Sequence, residues 1–263
     1  PAGSKWLTCS TALPRFVVLT ARGKTVIFQG PARNGGNATG YARAKGAAGA
    51  AVSAAFSPDG TRLAVLGTDA LTVVDSGSGA LLHTLELPAG GTGSRVLFHG
   101  DDLLAVGWGA ESGPAGVEVK RISDGTTVAT LVASTPLPAG GAVTSIASMP
   151  DLGLLILSVS SAGVVTAFED KTWTEAWTAD FGGDNAGALV TRRAAGTATG
   201  YICGMTTRHS CRVDLTSGRV EALGDLEGML GLAATENDRF IVGTRNGRLV
   251  VLDGTGSEPE KPR

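Results

Sequence analysis

Residues 51–67 read Ala51-Val52-Ser53-Ala54-Ala55-Phe56-Ser57-Pro58-Asp59-Gly60-Thr61-Arg62-Leu63-Ala64-Val65-Leu66-Gly67. Val52 to Phe56 alternates as a half-buried strand does. Ser57-Pro58-Asp59-Gly60 is a tight turn, because proline presets φ and Asp-Gly tolerates positive φ. Arg62 to Gly67 is a second, mostly apolar strand. Leu71-Thr72-Val73-Val74-Asp75 is a third, Ser76-Gly77-Ser78-Gly79 turns the chain again, and Leu81 to Leu87 alternates as a fourth. Four such strands joined by turns make a small sheet that buries its faces only by stacking on others.

The same order recurs. The turn between third and fourth strands appears at Asp75 to Gly79, Ser123-Asp124-Gly125, Asp170-Lys171, Thr216-Ser217-Gly218 and Asp253-Gly254. Counted from Gly79, the steps to Gly125, Lys171, Gly218 and Gly254 are 46, 46, 47 and 36 residues. An apolar third strand precedes these turns, as in Val117-Glu118-Val119-Lys120-Arg121-Ile122, Val164-Val165-Thr166-Ala167-Phe168, Cys211-Arg212-Val213-Asp214-Leu215 and Leu249-Val250-Val251-Leu252-Asp253. Four-stranded repeats of about 40–45 residues mark the blades of a β-propeller. The expected fold is all-β, a single propeller of about six blades and at most seven. It occupies 1–256 and is followed by a polar tail at 257–263.

The blades fall at 6–47, 51–89, 93–135, 142–182, 186–226 and 229–256. The first departs into a Gly-rich stretch from Gly30 to Gly40, and the last has no clear fourth strand. Ser4 to Thr8 is expected to supply that strand and close the ring, which removes exposed sheet edges. Ala42 to Ala55 has no apolar helical face and reads as a loop leading into a strand.

Residues 51–89 resemble WD40 and related propeller families. The resemblance is carried by Phe56-Ser57-Pro58-Asp59-Gly60-Thr61-Arg62-Leu63-Ala64, and by Val73-Val74-Asp75 with its Gly turn and Leu82-His83-Thr84-Leu85. Weaker copies cover nearly the whole chain. No blade carries the Trp-Asp dipeptide or an opening Gly-His pair; Asp75, Asp124 and Asp253 stand near the dipeptide's position without the Trp. The order of blades over 51–180 is also similar to propeller exchange factors that act on a small GTPase at the endoplasmic reticulum. That resemblance implies a Gly-rich cation-binding loop near the N-terminus, which Asn34-Gly35-Gly36-Asn37 matches poorly, and a membrane anchor that this span lacks.

Composition narrows the function classes. Of 263 residues, 43% are hydrophobic and 17% charged, enough to fill a core and too apolar for a disordered chain. A net charge of −2 offers no broad basic face for nucleic acid. Three cysteines, Cys9, Cys203 and Cys211, do not frame a disulfide-rich module; Cys203 and Cys211 lie near enough for one bridge, while buried thiols are the simpler reading. No apolar run reaches a transmembrane length. The start, Pro1-Ala2-Gly3-Ser4-Lys5, reads as a processed chain or an excised segment.

Catalytic and metal chemistry finds little footing. His83, His99 and His209 fall in three different blades without ligand spacing. Gly35-Gly36 and Gly90-Gly91 open no helix and so form no phosphate cradle. Gly77-Ser78-Gly79 is a hairpin turn, not a nucleophile elbow. Asp101-Asp102 and Glu236-Asn237-Asp238 read as solvated turns. Asn37-Ala38-Thr39 fits a glycosylation acceptor only by chance. No cofactor or metal is expected.

Interaction residues are easier to nominate. Arg192, Arg193, Arg208, Arg212, Arg239, Arg245 and Arg248 make the last two blades basic. From these, Arg192, Arg193, Arg208 and Arg245 are candidates for an acidic protein surface or a phosphate. Trp173 and Trp177, four apart in an alternating strand, pack between blades. Trp108, followed by a loop, is the best candidate for an exposed interface ring. The expected function is a non-catalytic interaction scaffold within a multi-subunit protein assembly, cytoplasmic, binding other proteins and no nucleic acid. The alternatives are an extracytoplasmic small-molecule or metal-binding propeller, enzymatic or not, and the small-GTPase exchange factor. The first alternative is weakened by first strands that read Ser, Ala and Leu at inward positions.

Overall fold

A computed structural model describes residues 4–252, except 11, 21–23, 31–39, 45–49, 90, 111–113, 133–140, 160–162, 181–185, 195–196, 205–208, 226–228, 235–239 and 245–248. For 186–211 and most of 222–252 it describes the backbone alone. Among the described residues there is no α-helix; the one helical turn is 3₁₀, at Pro150–Leu152. No helix there is long and apolar enough to cross a membrane. The chain divides into two compact units, one of 1–110 with 115–132 and one of 111–114 with 133–263.

The first unit holds three four-stranded antiparallel meanders. They are β1 (Ser4–Cys9), β2 (Arg15–Thr20), β3 (Thr25–Gln29) and β4 (Gly40–Arg43); β5 (Ala51–Phe56), β6 (Arg62–Gly67), β7 (Leu71–Asp75) and β8 (Leu81–Leu85); and β9 (Thr92–His99), β10 (Leu103–Gly109), β11 (Gly116–Arg121) and β12 (Thr127–Leu131). The second unit holds β13 (Val143–Met149), β14 (Leu154–Val159), β15 (Val164–Glu169) and β16 (Glu175–Asp180); β17 (Ala186–Ala194), β18 (Thr197–Gly204), β19 (His209–Asp214) and β20 (Val220–Asp225); and a three-stranded sheet of β21 (Met229–Ala234), β22 (Phe240–Thr244) and β23 (Leu249–Leu252).

Within each unit the first strands of successive sheets pack together, β1 with β5 and β5 with β9, then β13 with β17 and β17 with β21. The second sheet of the first unit therefore packs on a neighbour with each of its faces. Val65 and Val74 face Val17, Leu19 and Ile27 of the preceding sheet, while Leu66, Leu71 and Val73 face Val96, Phe98 and Val106 of the next. Ile156 and Ala167 meet Val213 and Leu215 in the same way. The third strands β7 and β15 are buried along nearly their whole length and are almost continuously apolar. Fourth strands alternate and stay largely exposed.

Repeated polar contacts fix the sheet ends. Gly79, Gly125, Trp173 and Gly218 donate their N–H groups to Asp75, Arg121, Glu169 and Asp214 carbonyls at 2.8–3.0 Å, all with φ between 56° and 74°. Three residues earlier, Ser76, Ile122 and Asp170 donate to the first turn of their own sheet, at Thr61, Asp102 and Gly153 carbonyls, each at 2.8 Å. Neighbouring sheets are stitched at this end too. Arg15 donates to the Ser76 hydroxyl, and Arg62 donates to the Asp101 carbonyl at 2.7 Å while lying 5.5 Å over the Phe98 ring. Trp177 Nε1 donates to the Leu215 carbonyl at 3.0 Å.

Four sequence expectations change. Ser4–Cys9 pairs with β2 as the first strand of its own sheet, so it is not the missing strand beside β23. Ala42 and Arg43 close β4 instead of opening a loop. The third-to-fourth turn of the fourth sheet is marked by Trp173, not Lys171, because Trp173 makes the glycine-type hydrogen bond in the left-handed region. Trp173 thus precedes β16 and does not share a strand with Trp177. In register, Cys203 stands opposite Ser210 and Cys211 opposite Ile202.

Candidate interaction surface

An antiparallel meander has two ends. One carries the first-to-second and third-to-fourth turns, and the other carries the second-to-third loop and the connection to the next sheet. The turn end is rigid and acidic. Asp59 Oδ1 accepts the Ser57 hydroxyl at 2.5 Å and the Thr61 N–H at 3.0 Å, while Oδ2 accepts the Thr61 hydroxyl at 2.7 Å. These bonds, the Ser57 hydroxyl foremost, lower its pKa to about 2. Asp75 is lowered by the Ser78 hydroxyl and then the Ser78 N–H, and Asp124 by the Thr126 hydroxyl. Asp102 accepts both the N–H and the hydroxyl of Ser123, at 3.1 and 2.9 Å. Asp102 thus braces the third-to-fourth turn of its own sheet.

A carboxylate with a lowered folded pKa stabilises the fold above its unfolded pKa and loses that contribution as pH falls through the folded value. For Asp59 the window runs from about pH 4 down to about pH 2. Asp59→Asn is therefore expected to lower Tm slightly at pH 7, by less than about 1 kcal/mol in stability because the side chain is exposed. The difference should shrink to a small part of its pH 7 size at pH 2, where the wild-type carboxyl is about half protonated. Thermal melts that keep the same gap at both pH values would remove this assignment.

The nominated residues divide between the two ends. Arg192 and Arg193 lie on β17, opposite Thr199 and Ala198, beside the β17–β18 turn. Arg208 precedes β19 and Arg245 follows β22, which places both at the loop ends of adjacent sheets. The side chains of all four, the tail at 257–263, Gly35-Gly36, Asn37 and Glu236 to Asp238 lie outside the described residues.

Trp108 occupies the loop end of β10 but is only 4% exposed, which corrects the expectation of an open interface ring. Its partners across the sheet are Gly93 on β9 and Gly116 on β11. A Cβ on Gly116 would sit 2.7 Å from Trp108 Cζ2, so the indole lies across its own sheet in the space that Gly116 leaves, while the space beside Gly93 is taken by Leu66. Its Nε1 has no hydrogen-bond partner among the described residues. First strands are also less neutral than expected. Arg95 on β9 is half-buried, donates to the Ser94 carbonyl at 2.8 Å, and is held below the usual guanidinium range by burial. Among the described residues no three His, Cys, Asp or Glu side chains converge to hold a metal ion.

Stacked four-stranded meanders with repeating turns define the chain as a WD40-like β-propeller in fold. The β-propeller domain of Cps50 (Swd1) from Myceliophteria thermophila is similar over 100% of this chain and 89% of that one, with a TM-score of 0.70 and 13% identity. No protein-family model matches the chain, and no curated protein does.

Proposed function

We propose that this protein is a non-catalytic interaction scaffold, a docking module that joins other proteins into a larger assembly. The observation that supports it is the division of each sheet into a hydrogen-bonded turn end and a loop end of varied length that carries Arg208 and Arg245. A frame of fixed turns lets loops meet a partner at small ordering cost. Likeness in fold to the Cps50 (Swd1) propeller domain is compatible with this role and does not supply it.

Affinity capture with mass spectrometry tests the reading. Arg208→Glu/Arg245→Glu, at the loop end, is expected to lose partners that Arg192→Glu/Arg193→Glu retains. Recovery of identical partners by both variants would discard the loop end as the docking site. A turnover measured on the isolated chain would discard the scaffold itself.

A further inference from the structure

The outermost strand of the second sheet opens on two leucines in the wrong surroundings. Leu81 and Leu82 on β8 are 44% and 46% exposed. They sit at a bulge: Val73 pairs with His83 and Val74 with Leu81, which leaves Leu82 unpaired. The same bulge recurs in the third and fourth sheets, where the two places hold Thr127-Val128 and Glu175-Ala176. The fold therefore does not require leucine at either place.

Beyond the bulge, β8 has one closed face and one open face. Leu85 and Leu87 pack on the core shared with the third sheet. Leu82, Thr84 and Glu86 alternate with them and are exposed. No strand pairs with the outer edge of β8 among the described residues. Glu86 has no ion-pair partner among them either. Asp75, the carboxylate nearer the leucines, already accepts the Gly77 and Ser78 N–H groups at 3.1 and 2.7 Å. Arg43 is close in backbone, since a Cβ on Gly79 would meet its carbonyl. Its neighbour Ala42 pairs with Ile27, which faces the second sheet, so the Arg43 side chain points the other way. The open face thus reads apolar, polar, acidic over about 13 Å, the length of four strand residues.

We propose that β8 is a docking strand for an extended segment of another protein, one that sets apolar side chains on Leu81 and Leu82 and a lysine or arginine on Glu86. Main-chain hydrogen bonds to the open edge supply affinity, and the leucine-to-glutamate spacing supplies register and sign. A second copy of β8 does not meet this requirement. Paired antiparallel about Thr84, it would lay each Glu86 on the other copy's Leu82. The proposal adds a surface to the scaffold reading and rests on that reading only for the idea of a protein partner.

Fluorescence anisotropy of the full chain with two labelled peptides tests this. Arg-Val-Thr-Val-Leu-Leu runs antiparallel to 81–86 and places its arginine at Glu86; Glu-Val-Thr-Val-Leu-Leu is its acidic counterpart. The basic peptide is expected to bind with a Kd of about 0.1 mM, as a short segment should. The acidic one should bind about fivefold more weakly, and Glu86→Lys should invert that order. Leu81→Ser/Leu82→Ser should weaken the basic peptide about tenfold, while Thr127→Ser/Val128→Ser, the same places on β12, should leave it within about twofold. Circular dichroism confirms that each variant is folded. Absence of binding up to about 1 mM, equal binding of both peptides, or equal losses from the β8 and β12 changes would each overturn the proposal. Arg208→Glu/Arg245→Glu leaves β8 untouched, so the capture experiment and this one can fail separately.

Discussion

Glu118→Ala is expected to destabilise the protein by about 3–5 kcal/mol, because it strands a buried ammonium. Glu118 and Lys120 lie two apart on β11, each about 5% exposed, with Lys120 Nζ 2.9 Å from Glu118 Oε2. The pair is embedded in hydrogen bonds: the Ala89 N–H donates to Glu118 Oε1 at 2.8 Å and Lys120 Nζ donates to Thr127 Oγ1 at 3.2 Å. Removing the carboxylate leaves the Lys120 charge with one neutral partner in a seam whose other residues include Leu104 and Val106. The sister sheets supply the control. Thr72 and Val74 occupy the equivalent positions on β7 and are fully buried. Glu118→Thr/Lys120→Val should therefore match wild type within about 1 kcal/mol or exceed it, since replacing both ions of a buried pair is often neutral or favourable. Urea titrations followed by circular dichroism give both numbers. A single variant that costs under about 1 kcal/mol, or a double variant as weak as the single, would show the pair is not desolvated as described.

Gly79→Ala is expected to cost about 3 kcal/mol, in two separable parts. Gly79 has φ of 69°, where a side chain costs about 1–2 kcal/mol. An added Cβ would also lie 2.2 Å from the Arg43 carbonyl oxygen and 2.8 Å from its carbon, both backbone atoms at the end of β4. Overpacking of that sort adds about 1–3 kcal/mol. Gly125→Ala isolates the first part: φ is 74°, and the only close atom is Leu85 Cδ2 at 3.5 Å. That variant should lose only about 1 kcal/mol. Equal losses in the same urea titrations would mean that Arg43 gives way freely and that the first two sheets are not held together there.

Much of the fold was legible because its signals are local. Pro58-Asp59-Gly60 and the glycines of the third-to-fourth turns need no knowledge of neighbours to be read. What escaped depends on register. Trp173 takes a position that glycine fills in three other sheets, and nothing in Lys171-Thr172-Trp173 announces a left-handed residue. Trp108 looks like an exposed ring until Gly93 and Gly116 are known to lie beside it. In Val117-Glu118-Val119-Lys120 the charged residues alternate with valines; burial of their face follows from stacking on the preceding sheet, which no window of one strand reveals.

Separate sheet ends also leave room for divergence. Asp59, Asp75, Asp102 and Asp124 hold their turns through bonds that stay inside one sheet. None of these bonds reaches the second-to-third loops. Residues can be added to or exchanged in those loops without disturbing any of these carboxylates. A lineage of such chains can change what it recognises while its skeleton stays constant.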